Sequence, residues 1–149
     1  MRCSGSGGRT GRERGSMSVF TVLFSVVVFL LAGLLVDGGA AINARLRAAD
    51  VAEQAARAGA DQLDVEYLRE TSRARLLASD VVCEAAGEIV SGHAGGDVGL
   101  VACEAGDAEV GVTVSVRWEA FFLAALGFPG GEMEATATAG PDTGEAPVP

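Results

Sequence analysis

The chain has 149 residues, enough for one domain, and carries 20 acids against 11 arginines, no lysine and a formal net charge of −9. So acidic a surface repels nucleic acid and anionic headgroups, which excludes neither protein nor membrane partners but disfavours phosphate binding. Cys3, Cys83, Cys103 and the single His93 sit at no zinc-ligand spacing, so no metal or cofactor site is expected.

From Ser16 to Val36 the run SMSVFTVLFSVVVFLLAGLLV carries no charge. At about 1.5 Å per residue it reaches roughly 30 Å, the hydrocarbon thickness of a bilayer. Four arginines against Glu13 precede it, and Asp37 closes it. The positive-inside bias then predicts residues 1–15 as a basic cytoplasmic leader, 16–36 as a single transmembrane helix and 37–140 as an extracytoplasmic domain. Membrane lipid is the first expected partner. The apolar run exceeds the roughly 7–15 residues of a secretory signal core. Gly38, Gly39, Ala40 and Ala41 nevertheless form a small-residue stretch where a signal peptidase would cut, and a secreted module is the alternative they leave open.

Asp37, Gly38 and Gly39 are candidates for a hinge where the helix leaves the membrane. Beyond them Ala40 to Leu68 reads as a long amphipathic helix. Ala49, Ala52, Ala56 and Gly59 fall at alternating steps of three and four, the spacing of a packing seam, with Arg47, Asp50, Gln54, Arg57 and Asp61 on the other side. A seam of alanine and glycine stabilises only where backbones approach closely. Two surfaces suit it, this chain's own sheet or helices of other subunits.

A second helix is predicted over Thr71 to Ser91, with Leu77, Val81, Ala85 and Ile89 as its apolar stripe. Cys83 lies off that stripe. In an oxidising compartment Cys83 and Cys103 are candidates for a disulfide, and as small buried thiols they are equally reasonable. Ser91 to Asp97 has loop composition. Strands follow at Val98–Glu104 and, with strict alternation, at Val110, Val112, Val114, Val116 and Trp118. A third alternation places Met133, Ala135, Ala137 and Ala139 inward and Glu132, Glu134, Thr136 and Thr138 outward. Between these strands AFFLAALGFPGG supplies Phe121, Phe122, Leu123, Leu126 and Phe128. One or two helical turns plugging the end of the core is the first reading, and an exposed patch facing a partner or the membrane is the second. Residues 141–149 have the composition of a disordered tail. Helices followed by strands predict an α+β fold in which an antiparallel sheet packs on the helices.

No GxSxG, HExxH, CxxC or phosphate-loop motif occurs, so neither an enzyme nor a small-molecule substrate is expected. His93 has no evident orienting partner. Asp97, Glu104, Asp107 and Glu109 follow no calcium-loop pattern.

ERGSMSVF, the apolar helix and LLVDGGAAINARLRAADVAEQAARAGADQLD together resemble TadE/TadG-like proteins of tight-adherence (Flp-type) pilus assembly, the actinobacterial branch most of all. VTVSVRW, FFLAALGF and EMEATATAG in sequence resemble the close of those proteins, so the likeness runs from Glu13 to Gly140. It implies a minor pilin or pseudopilin with a pilin-like α+β head, working with other pilin-like subunits and a pilus assembly machine. It also implies prepilin-type cleavage after Gly15, before Ser16. Many related pilins carry glutamate at the fifth position after the cut. Here Phe20 stands there, a departure that suits a membrane-retained accessory role better than a major subunit.

Overall fold

The computed structural model describes residues 14–93 and 95–141. The greater part of the basic leader, Cys3 and nearly all of the tail expected at 141–149 lie outside the described residues. Seven elements follow one another: helix α1 (Arg14–Ala60), a short helix α2 (Val65–Thr71), helix α3 (Ser79–Gly92), strands β1 (Val98–Ala105) and β2 (Val110–Glu119), a 3-10 turn (Leu123–Leu126) and strand β3 (Gly130–Ala139).

No proline interrupts α1, whose 47 residues make a rod about 70 Å long. Its two halves have opposite surroundings. From Met17 to Val36 the side chains are exposed on every side, Gly33 excepted, and this stretch has the length and composition to cross a membrane. From Ala44 onward one face is buried against the rest of the chain. The helix passes through Asp37, Gly38 and Gly39 without a break.

The amphipathic part ends at Ala60, eight residues short of the predicted Leu68. Aspartate is a weak interior helix residue and a strong N-cap. Asp64 takes the second role, accepting the Tyr67 N–H at 2.9 Å and so starting α2 afresh. The same carboxylate meets the Arg75 guanidinium at 2.6 Å, which lies over the Tyr67 ring at 4.0 Å. The Tyr67 N–H and Arg75 together hold the Asp64 carboxyl below its usual value. Antiparallel pairing of Leu63 with Leu76 closes this excursion at its base.

In α3 the buried stripe is Val82, Ala86 and Val90, one residue on from the predicted Val81, Ala85 and Ile89. Both stripes are apolar, so composition alone does not settle which is buried. The packing partner decides, since Val82 comes within 3.1 Å of the position a Cβ would take on Gly59. α3 also begins at Ser79 rather than Thr71, and Leu77 is exposed while Leu76 is buried.

The three strands form an antiparallel meander in the order β1-β2-β3, the alternation of β2 and β3 falling as predicted. Val112 faces Cys103 on one side and Ala137 on the other, and Val116 faces Met133. Val110, Val112 and Val114 point toward Ala52, Ala55 and Ala56 of α1 and Val82 and Ala86 of α3, forming one core. A smaller cluster of Ala44, Ala48 and Val116, flanked by Trp118, Met133 and Ala135, continues it toward Asp37. The architecture is therefore α+β: a long apolar helix, further helices and a small antiparallel sheet.

Of the expected seam, Ala52, Ala56 and Gly59 face inward and Ala49 does not. The buried face of α1 runs instead through Ala44, Ala48, Val51, Ala52, Ala55 and Ala56, which leaves Ala49 on its flank. Gly59 is where α1, α3 and β2 meet, an added Cβ also lying 3.4 Å from Val110. Replacing it by leucine overpacks this junction and is expected to cost about 1–3 kcal/mol. Ala49→Leu, on the exposed flank, should stay within about 0.5 kcal/mol. Urea unfolding in micelles, followed through Trp118, measures both, and equal destabilisation would contradict the inward placement.

Candidate anchoring and packing site

Asp37 is one residue beyond the predicted span and is the buried charged residue of the described chain, with 1% of its surface exposed. A lone carboxylate so placed is costly unless hydrogen bonds replace water. The bonds come from the far end of the sequence. Phe121 N–H donates to Oδ1 at 2.8 Å, Leu123 N–H donates to Oδ2 at 2.6 Å, and Phe122 N–H reaches both oxygens at 3.2 and 3.0 Å. These three N–H groups stand at the start of the 3-10 turn, where no intrahelical acceptor exists for them. Asp37 thus caps a turn that is more than eighty residues away in sequence.

Burial pushes the Asp37 carboxyl up, but the N–H groups of Leu123, Phe121 and Phe122 together outweigh it and hold it below the usual 3.8. A depressed pKa means that the carboxylate's contribution is present in full above 3.8 and is lost as pH falls through the lowered value.

The turn lies against the helix one turn below Asp37. A Cβ on Gly33 would come within 2.9 Å of the Phe122 side chain, so glycine is what lets the loop approach. Gly127, with φ of +94°, ends the turn in the left-handed conformation that glycine adopts freely. Between loop and helix runs an apolar groove of about 560 Å³, from Val26 to Leu34 on one wall and Phe122 to Leu126 on the other. The expectation that Phe121, Phe122, Leu126 and Phe128 plug the core is overturned. All four are exposed, Phe121 to 78% and Phe128 to 67%. The core is already closed at this end by Val116, Trp118 and Met133, so the aromatic rings have no room inside.

The remaining sequence candidates fall elsewhere. Gly15 and Ser16 lie in the first turn of α1. Gly38 and Gly39 stand within continuous helix, with open space where a Cβ would project. Cys83 and Cys103 are joined as a disulfide with Cα atoms 5.8 Å apart, linking α3 to β1. His93 sits at the end of α3 with its Nδ1 2.8 Å from the Ile89 carbonyl oxygen, held by the helix end and not facing a nucleophile. Asp97 pairs with Arg47 at 2.5 Å. Among the described residues no group of three or more His, Cys, Asp or Glu is arranged to hold a metal ion.

Asp37→Asn removes one acceptor oxygen and turns an amide N–H₂ toward the three donors. Hydrogen exchange at the amides of Phe121, Phe122 and Leu123 is expected to accelerate roughly tenfold or more, because hydrogen bonds to charged groups are the strong ones. In the unsubstituted protein, protection of these amides, corrected for intrinsic exchange, should be flat from neutral pH down to 3.8 and fall below it. Unchanged exchange in the variant would contradict the capping role. Reduction of Cys83–Cys103, which are 20 residues apart, should lower unfolding stability by about 3 kcal/mol through the freed chain entropy. Urea midpoints with and without reductant check this.

Residues 15–62 match the family model described as Tad, "Putative Flp pilus-assembly TadE/G-like". The match is to the family as a whole and names no branch. No curated protein and no solved structure matches the chain. The matched residues begin at the first turn of α1 and end two residues past its last, taking in Asp37 and the packed face. Through α1, about a third of its length, the chain is similar to the TadE/G-like Flp pilus-assembly family.

Proposed function

We propose that this chain serves pilus assembly as a membrane-held, minor-pilin-like or accessory component of a tight-adherence system. Its N-terminus is cytoplasmic and its head extracytoplasmic. The observation that carries this reading is the coincidence of the family match with α1, covering both the bare half and the half that bears the head. Its mechanism is mechanical and not catalytic. The span holds the protein in lipid, and the rigid exit from the membrane presents the acidic head to other subunits or to the assembly machine.

The arrangement at Asp37 supports retention of the anchor. Signal cleavage near Ala40 or Ala41 would cut α1 in its middle and discard Asp37. The N–H groups of Phe121, Phe122 and Leu123 would then lose their shared acceptor. Cleavage between Gly15 and Ser16 touches only the first turn and leaves all these bonds in place. Phe20 at the fifth position after that cut supports an accessory role, since a filament subunit would be expected to carry the family's glutamate there.

Mass spectrometry of the native protein is expected to find an N-terminus upstream of Asp37, either the intact leader or Ser16. A start at Ala40 or Ala41 would overturn the anchored reading in favour of a secreted module. Cross-linking in intact cells should recover the pilus ATPase and its membrane platform with this chain. A different stable partner in their absence would favour an envelope scaffold.

A further inference from the structure

The loop between β2 and β3 is a second apolar surface placed beside the first. From Ala120 to Gly131 the sequence AFFLAALGFPGG carries no charge. Phe121, Leu126 and Phe128 expose most of their surface, and Phe122 close to half. A water-facing loop of this composition is unusual, and contiguous exposed apolar surface marks an interaction site.

Position says what covers it. The loop does not point away from the span. It folds back along it, with Phe122 against Gly33 and the shared groove reaching down to Val26. From Val36 to Val26 is about 15 Å along the helix axis, so this groove runs roughly half-way into the hydrocarbon if the span crosses a bilayer. Any surface continuous with the lipid-facing side of the helix at that depth meets the same solvent.

The loop backbone is also prepared for that solvent. Lipid admits irregular backbone only where its polar groups are satisfied from within the protein. Phe121, Phe122 and Leu123 donate to Asp37. Ala120 donates to the Pro129 carbonyl, Ala125 to Phe122, Gly127 to Ala124 and Phe128 to Leu123. Pro129 has no N–H to satisfy. Seven of the loop's N–H groups, those of Ala120 to Leu123, Ala125, Gly127 and Phe128, thus find acceptors within the protein, beside a bare apolar helix, which suits an apolar medium.

We propose that residues 120–129 dip into the leaflet on the head's side of the membrane and contact acyl chains, giving the protein a second membrane attachment. The head is then held at two points and keeps a fixed tilt over the bilayer. Asp37 has a specific part in this, supplying the acceptors that let the loop start its turn without water. The inference rests on the membrane-anchored reading of α1, and its test separates the two.

The test uses full-length protein in phosphatidylcholine vesicles, with acyl chains either plain or brominated to quench indole emission. Trp118→Phe gives a silent background and loses no hydrogen bond, since the Trp118 N–H has no partner among the described residues. Into it go, singly, Phe121→Trp and Phe128→Trp in the loop, Phe24→Trp in the span and Glu109→Trp at the far end of the sheet. The expected result is loss of emission on bromination at both loop positions, as at Phe24→Trp, with none at Glu109→Trp. Quenching at Phe24→Trp without quenching in the loop would overturn the second attachment and leave the anchor intact. Absence of quenching at Phe24→Trp would overturn both. Loop indoles shielded from aqueous acrylamide yet untouched by bromolipid would mean that protein, such as a second copy, covers the patch, which also overturns the proposal.

Discussion

Two oxygens of one carboxylate hold the molecule's two ends together. Asp37 closes the apolar run, and the three amide donors that satisfy it belong to the loop before the last strand. Without them a buried charge at the edge of lipid would be untenable. With them, the helix cannot leave the membrane in an arbitrary direction relative to the sheet. Everything on the head side follows from that fixed exit: the buried face of α1 beyond Ala44, the docking of β2 and β3 on it, and the placement of the aromatic loop beside the span.

The same constraint explains the composition of the head. A helix that continues straight from lipid into the core must bring its sheet close, and small side chains permit this. Ala48, Ala52, Ala55 and Ala56 are buried with no accessible surface, and Gly59 lets α3 approach. Each alanine contributes little apolar area. Tight backbone approach, the valine ladder of β2 and the Cys83–Cys103 link make up the difference in a domain with only a modest core. Surface ion pairs such as Arg117–Glu132 add little at this exposure.

The sheet and the span were legible in the sequence because each is written in one uninterrupted period. Alternation from Val110 to Trp118 admits only one buried face, and no charge falls between Ser16 and Val36. Less of the helical part was readable. Where adjacent stripes are both apolar, as in α3, the buried one depends on the partner surface, and Val82 prevailed through Gly59. The core reading of Phe121 to Phe128 failed for a different reason: apolar composition suits a plug and an exposed patch alike, and Val116, Trp118 and Met133 already close that end of the core. Asp37 looked like an ordinary interfacial acid beside two hinge-prone glycines. Its partners are backbone N–H groups, which leave no trace in side-chain patterns. The one available signal was a charge-free aromatic loop with no acid of its own to cap its turn.

For the proposed role in pilus assembly, rigidity at the membrane exit is the property that matters. A head on a flexible stalk transmits little force or orientation to its neighbours, whereas a single rod through lipid and core transmits both. The interspin distance between labels at Thr21→Cys and Arg57→Cys, in a Cys3→Ser background and in a lipid bilayer, tests this most directly. One continuous helix predicts a narrow distribution centred near 54 Å, at about 1.5 Å per residue. A broad or markedly shorter distribution would place a working hinge at Gly38 and Gly39 and contradict the fixed exit.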